Sequence, residues 1–123
     1  MRALVIDDSK AIRMILGKIL ESIGFEVIDA ADGAEALEKL KTAGKLDLAL
    51  VDWNMPVMNG LEFVVEVRKD NQYDSMPMMM VTTETEMAQV VKALEAGANE
   101  YVMKPFTKEI IIEKLNLMGI SIS

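Results

Sequence analysis

Five times along this chain a short apolar run gives way to a longer stretch in which apolar residues recur every three or four positions. The runs are Ala3 to Ile6, Glu26 to Ile28, Leu46 to Val51, Met78 to Val81 and Tyr101 to Met103. The first, third and fourth are apolar nearly throughout, broken only by Asp47, instead of alternating with polar residues. Strands of a parallel sheet covered on both faces read this way.

The stretches between them carry a helical period. Ile12, Ile15, Leu16, Ile19, Leu20 and Ile23 make one stripe, closed by Gly24. Asp32 and Glu35 have the spacing of a capping box that opens a second helix, and Gly44 ends it. Leu61, Val64, Val65 and Arg68 mark a third. Thr83 with Glu86 opens a fourth, with Met87, Val90, Val91 and Leu94 on one face before Gly97. Thr107 caps a fifth that turns Ile111, Leu115 and Met118 inward. Repeated βα alternation with right-handed crossovers implies a doubly wound α/β fold with a five-stranded parallel sheet flanked by five helices, and the expected arrangement is flavodoxin-like with strand order 2-1-3-4-5. The 123 residues suit one domain over 1–123, and the tail after Gly119 is too short for an output domain.

In such a sheet, ligands bind beyond the carboxyl ends of the strands, at the point where strand order reverses. Polar residues collect there. The first strand ends in Asp7-Asp8, the third in Asp52 and the fourth in Thr82-Thr83, and the fifth leads into Lys104-Pro105. With neighbouring strands about 4.8 Å apart, Asp52 lies about one strand from Asp7-Asp8 and one from Thr82, and Lys104 about two strands from Asp52. Three carboxylates so close repel one another and raise their own pKa values. A hard divalent cation relieves that, and Mg²⁺ accepts one or two carboxylates, water and a phosphate oxygen. Asp52 is then the natural nucleophile for a phosphoryl group whose oxygens meet Lys104 and Thr82. Taken singly, each residue has a plainer explanation. Asp8 can cap a helix, Asp52 can form an Asx turn with Asn54, Thr82 is an ordinary strand residue and Lys104 an ordinary surface lysine. Their joint placement at four strand ends is the informative fact.

Composition removes other chemistries. The chain has no cysteine and no histidine, so thiolate metal sites, disulfides and imidazole catalysis are absent. A net charge of −7 argues against a nucleic-acid surface. No apolar run reaches the roughly 20 residues of a membrane span, and Ala3 to Ile6 is too short for a signal peptide, so no membrane insertion is expected and the cytoplasm is the expected setting. The 11 methionines read as core filler.

The segments Ile6 to Ser9 (IDDS), Val51 to Gly60 (VDWNMPVMNG), Met80 to Glu84 (MVTTE) and Glu100 to Phe106 (EYVMKPF) closely resemble the receiver domains of two-component response regulators, above all the stand-alone chemotaxis type. The resemblance spans the chain from first strand to fifth helix. It implies that Asp52 takes a phosphoryl group from the phosphohistidine of a sensor histidine kinase. Mg²⁺ would be held directly by Asp8, Asp52 and the backbone carbonyl of Asn54, with Asp7 acting through water or by positioning. Lys104 would pair with the phosphoryl oxygens and form a cis bond to Pro105. Met55-Pro56 and Gly60 would shape the loop after the acceptor. Thr82 and Tyr101 would form the switch, Thr82 moving toward the phosphoryl group as Tyr101 turns inward, although Tyr101 read alone is a half-buried packing residue. The face of the fourth helix, fifth strand and fifth helix would then change for a downstream protein, by analogy the flagellar motor switch. Asn54 and Glu84 would assist self-dephosphorylation, and a phosphatase is a further expected partner. The protein would catalyse nothing beyond its own phosphorylation and dephosphorylation.

Other functions fit less well. A flavin carrier on this fold needs a hydroxyl- and glycine-rich phosphate loop where Asp7-Asp8 stands. A Mg²⁺-dependent aspartyl phosphatase resembles an Asp-x-Asp string on the first strand, which is missing here. A receiver-shaped adaptor working without phosphorylation usually lacks an acid, the acceptor or the lysine, and all are present. A phosphorelay intermediate or phosphate sink would use the same site.

Thr83 departs from the alanine usual in the nearest relatives, and its bulk beside the site is expected to slow access. Thr83→Ala should therefore speed phosphorylation or decay of the phosphorylated protein, followed by intact mass against time. Unchanged rates would remove this role.

Overall fold

The computed structural model describes residues 1–83 and 87–120. Five strands, β1 (Arg2–Ile6), β2 (Glu26–Ala30), β3 (Leu48–Asp52), β4 (Met78–Thr82) and β5 (Glu100–Met103), alternate with five helices. These are α1 (Lys10–Ser22), α2 (Gly33–Ala43), α3 (Gly60–Arg68), α4 (Met87–Ala96) and α5 (Lys108–Leu117). All strand pairs are parallel, and the order is β2-β1-β3-β4-β5, as expected. β3 starts at Leu48 instead of Leu46, because Asp47 turns its carboxylate to the β1 end and accepts from the Arg2 N–H at 2.8 Å.

Successive side chains of a strand face opposite sides of the sheet. Leu4, Ile6, Ala49, Val51, Met78 and Met80 therefore pack with Ala36 and Leu40 of α2, Phe63, Val64 and Val67 of α3, and Ala93 of α4. Ala3, Val5, Leu48, Leu50, Met79, Val81 and Val102 pack on the other side with Leu16 and Leu20 of α1 and Ile111 and Leu115 of α5. The three consecutive methionines thus divide between two cores.

Helix ends are set by short polar side chains. Ser9, Asp32, Asn59 and Thr107 each accept from the backbone N–H three residues on, satisfying a donor that the first turn leaves unpaired. Asn59 and Glu62 form a full capping box. The box expected at Asp32 is half made, since Glu35 accepts from Ala31 N and not from Asp32 N. The Thr83–Glu86 box lies partly outside the described residues.

Some stripe residues face solvent. Ile15 and Val65 are exposed, and on α4 Val91 is 57% exposed and Leu94 38%. The contact lines run instead through Leu16 and Leu20, through Phe63, Val64 and Val67, and through Val90 and Ala93. Each helix meets the sheet along a narrow line, so an apolar residue one position off that line falls on its flank.

The end of α4 is clasped from α3. Arg68 donates from Nε to Gly97 O at 3.1 Å, from Nη2 to Met76 O at 2.8 Å and to Asn99 Oδ1 at 3.1 Å, and from Nη1 to Tyr73 O. Gly97 has φ +125°, and a Cβ there would lie 2.7 Å from Arg68 Cγ, so only glycine fits.

Between β3 and α3, Val57 adopts φ 68° and is almost fully exposed. A β-branched residue is strained in the left-handed region by about 1–2 kcal/mol, whereas asparagine visits it more readily. Val57→Asn should stabilise the fold by about 1 kcal/mol in urea denaturation. A lower midpoint would contradict the strain.

Candidate functional site

The carboxyl ends of β1, β3, β4 and β5 bring together Asp7, Asp8, Asp52, Thr82 and Lys104. Asp7 and Asp52 are 1% and 4% exposed, Thr82 is 1% exposed, and Asp8 is open to solvent. One carboxylate oxygen from each of Asp7, Asp8 and Asp52 lies within 4.8 Å of the others. Lys104 reaches in from beyond β5, its Nζ 3.1 Å from Asp52 Oδ1 and 3.4 Å from Asp7 Oδ2. Two buried anions thus share one ammonium.

Local structure aims each group. Ser9, which caps α1 with its hydroxyl, also donates its backbone N–H to Asp7 Oδ1 at 2.9 Å. Arg13 Nη1 donates to Asp7 O at 2.7 Å, and its Nε pairs with Asp29 at 2.9 Å, so a guanidinium backs the β1 end. Ser9 and Arg13 have positioning roles that the residue pattern did not single out; the Ser-x-x-Ile start of the first apolar stripe was the available signal for Ser9. Gly60 sits against the end of β3: a Cβ there would meet Asp52 O at 2.6 Å and Met80 Cε at 2.8 Å. Any side chain would push α3 off the end of β3. Lys104 N donates to Thr82 O at 2.7 Å, and the Lys104–Pro105 bond is cis.

Burial is the main force on the titrating groups. It raises Asp7, against the lowering effects of the Ser9 N–H and Lys104. Asp52 is pushed up to about 6 by burial and then by the Asp7 charge, with Lys104 only partly offsetting them. On Lys104 burial acts downward, but Asp52 and Asp7 outweigh it and the ammonium is held above its ordinary value. A carboxyl trio so strained fits a hard divalent cation, which takes oxygen ligands and supplies the missing positive charge.

Asn54 stands exposed two positions past Asp52, and among the described residues no Asx bond joins them. Tyr101 lies on β5, half-buried against the α4-side core. Thr82 Oγ1 donates to Thr83 O at 3.3 Å. Glu84 lies outside the described residues.

A doubly wound parallel sheet in this order, with an acid-and-lysine cluster at its carboxyl edge, defines a class that comparison with known proteins makes specific. The chain belongs to the response regulator receiver domain family, whose sequence profile matches residues 3–116. It is 44% identical over 119 residues to chemotaxis protein CheY1 of Helicobacter pylori strain J99, covering 96% of each chain. It is 45% identical to the chemotaxis protein CheY homolog of Campylobacter jejuni serotype O:23/36, over 94% of this chain and 89% of that one. The solved structure of chemotaxis response regulator CheY4 of Vibrio cholerae superposes with a TM-score of 0.88 at 39% identity, covering 95% and 97% of the two chains. This is a CheY-like receiver domain. No helix among the described residues is long and apolar enough to cross a membrane.

The raised Asp52 has a thermodynamic consequence. Its folded pKa of about 6 exceeds the unfolded value near 4, so the folded state binds the proton more tightly. Stability from this group is greatest at low pH and falls as pH rises toward 6. Without divalent cation, Asp52→Asn should stabilise the fold by roughly 1–3 kcal/mol at about pH 7, an advantage that fades by about pH 4. Urea denaturation at the two pH values measures this, and an unchanged or weakened variant at neutral pH would contradict the repulsion.

Proposed function

We propose that this chain acts as a single-domain response regulator in the cytoplasm, carrying a phosphoryl group on Asp52 that it receives from a sensor histidine kinase. The supporting observation is the pairing of buried Asp52 with Lys104 inside a cluster of three carboxylates. In the transfer, an Asp52 carboxylate oxygen attacks phosphorus, the P–N bond to the kinase imidazole breaks, and an acyl phosphate forms. The neutral imidazole leaves with its electron pair. Asp7, Asp8, Asp52 and the Asn54 carbonyl would hold Mg²⁺, which when bound neutralises charge on the transferring phosphoryl oxygens.

Lys104 changes partner in this scheme. Its ammonium now lies 3.1 Å from Asp52 Oδ1 and is placed to follow the new charge onto a phosphoryl oxygen. Thr82, buried at the next strand end, would exchange its bond to Thr83 O for a phosphoryl oxygen. Tyr101 would turn inward in response, altering the face of α4, β5 and α5 offered to a downstream protein. Chemotaxis, with a flagellar motor switch as target, is the leading pathway because the relatives are chemotaxis proteins. Reversal is hydrolysis: water attacks phosphorus, the P–O bond to Asp52 breaks, and inorganic phosphate leaves. Asn54 and Glu84 would assist there, with or without a phosphatase. Beyond this self-directed chemistry the protein signals and turns over no substrate.

Incubation with acetyl phosphate and Mg²⁺, followed by intact mass, tests the reading. The expected result is a gain of one phosphoryl group that decays on standing and is lost with EDTA or in Asp52→Asn. A folded protein that gains nothing would instead be a phosphorylation-independent adaptor.

A further inference from the structure

Tyr101 lies on β5, an edge strand of the sheet, with its ring packed partly against the core that α4 shares. Above the ring stands Lys114 of α5, its Nζ 4.5 Å from the ring centroid. That ammonium is anchored: Glu100 Oε1 accepts from it at 3.4 Å, and the same oxygen accepts from the Tyr101 backbone N–H at 3.0 Å. The Lys114 and Glu100 side chains are 23% and 21% exposed, so solvent and salt screen the contact poorly. A free surface lysine over an aromatic would be unremarkable. Here a carboxylate on the strand that carries the ring clamps the cation in place, so cation, anchor and ring form one unit bridging β5 and α5.

The rest of the site shows which conformer this unit belongs to. Lys104 is bonded to Asp52, and the Thr82 hydroxyl donates to the backbone of Thr83. Both groups are turned as expected before any phosphoryl group arrives. A contact present in one of two conformers biases the equilibrium by its own free energy. We propose that Lys114, anchored by Glu100, is a latch that holds Tyr101 in its resting position and thereby raises the threshold for switching. It is a positioning residue, acting on the site only through the tyrosine ring. This rests on the reading of Tyr101 as the switch residue and adds what restrains it.

By linkage, weakening the latch favours the switched conformer and so tightens binding of anything that prefers it. For a cation–aromatic contact of ordinary strength the expected factor is about two- to fivefold. The test uses beryllofluoride with Mg²⁺ as a phosphoryl mimic and protein carrying ¹³C-labelled tyrosine rings. The chain has two tyrosines, so Tyr73→Phe assigns the signals. The single tryptophan, Trp53, neighbours Asp52 and reports by fluorescence that the site has filled. Lys114→Met keeps the apolar stem and removes the charge. Its Tyr101 signal should shift, in the ligand-free protein, toward the position that the unsubstituted protein reaches with the mimic. Half-saturation should fall about two- to fivefold, and Lys114→Arg, which restores a cation over the ring, should reverse both effects. Glu100→Gln should act in the same direction as Lys114→Met. If Lys114→Met and Glu100→Gln match the unsubstituted protein in signal position and half-saturation, the latch is wrong while Tyr101 remains a switch. If the Tyr101 signal of the unsubstituted protein fails to move although Trp53 reports a filled site, the switch reading itself fails and the latch with it.

Discussion

Asp7 and Asp52 are both buried, and the ammonium of Lys104 is the one cation that pairs with them among the described residues. Burying charge is costly unless it is compensated, and here compensation is incomplete. Burial, and then the charge of Asp7, make Asp52 reluctant to ionise, and the same imbalance suits the pocket to a hard cation. Much of the surrounding structure serves that imbalance. β3 and β4 are buried along their length and β1 from Ala3 onward, so the chain meets polar surroundings mainly where they end. Gly60 brings α3 against β3, and Ser9 turns its N–H onto Asp7. A less buried pair of acids would be more comfortable and would leave less charge for a cation to offset.

The fold was largely legible because parallel strands covered on both faces leave a signal few other structures share. Leu48 to Val51 and Met78 to Val81 have no polar residue between them. The site was legible for the same reason: once such runs are strands, whatever polar residue ends them falls at one edge. Helix faces were read less well. Val91 and Leu94 keep the helical period yet flank the contact line, because periodicity alone does not say which of two adjacent apolar columns meets the sheet. Small residues hid the answer, since the fully buried Ala93 adds little to the apolar signal of its column.

Other features needed coordinates. Asn59 and Glu62 have the spacing of a capping box, but in sequence the loop residues Met55-Pro56 and Gly60 beside them are more conspicuous. Arg68 keeps the helical period of Leu61, Val64 and Val65, but its bonds to Gly97, Met76 and Asn99 join segments far apart in sequence, which no local pattern encodes. The contact of Lys114 with Tyr101 is likewise tertiary, depending on the angle at which α5 crosses the edge strand.

The Arg68 clasp gives α4 one secured end. Its ten residues span about 15 Å, running back from the acidic edge of the sheet to Gly97. A rod held at one end turns a small tilt into movement mainly at the other: about 5° moves the far end by about 1 Å and the clasped end scarcely at all. Motion in this helix would therefore be largest beside the strand ends that carry the acids and smallest at the bottom of the sheet.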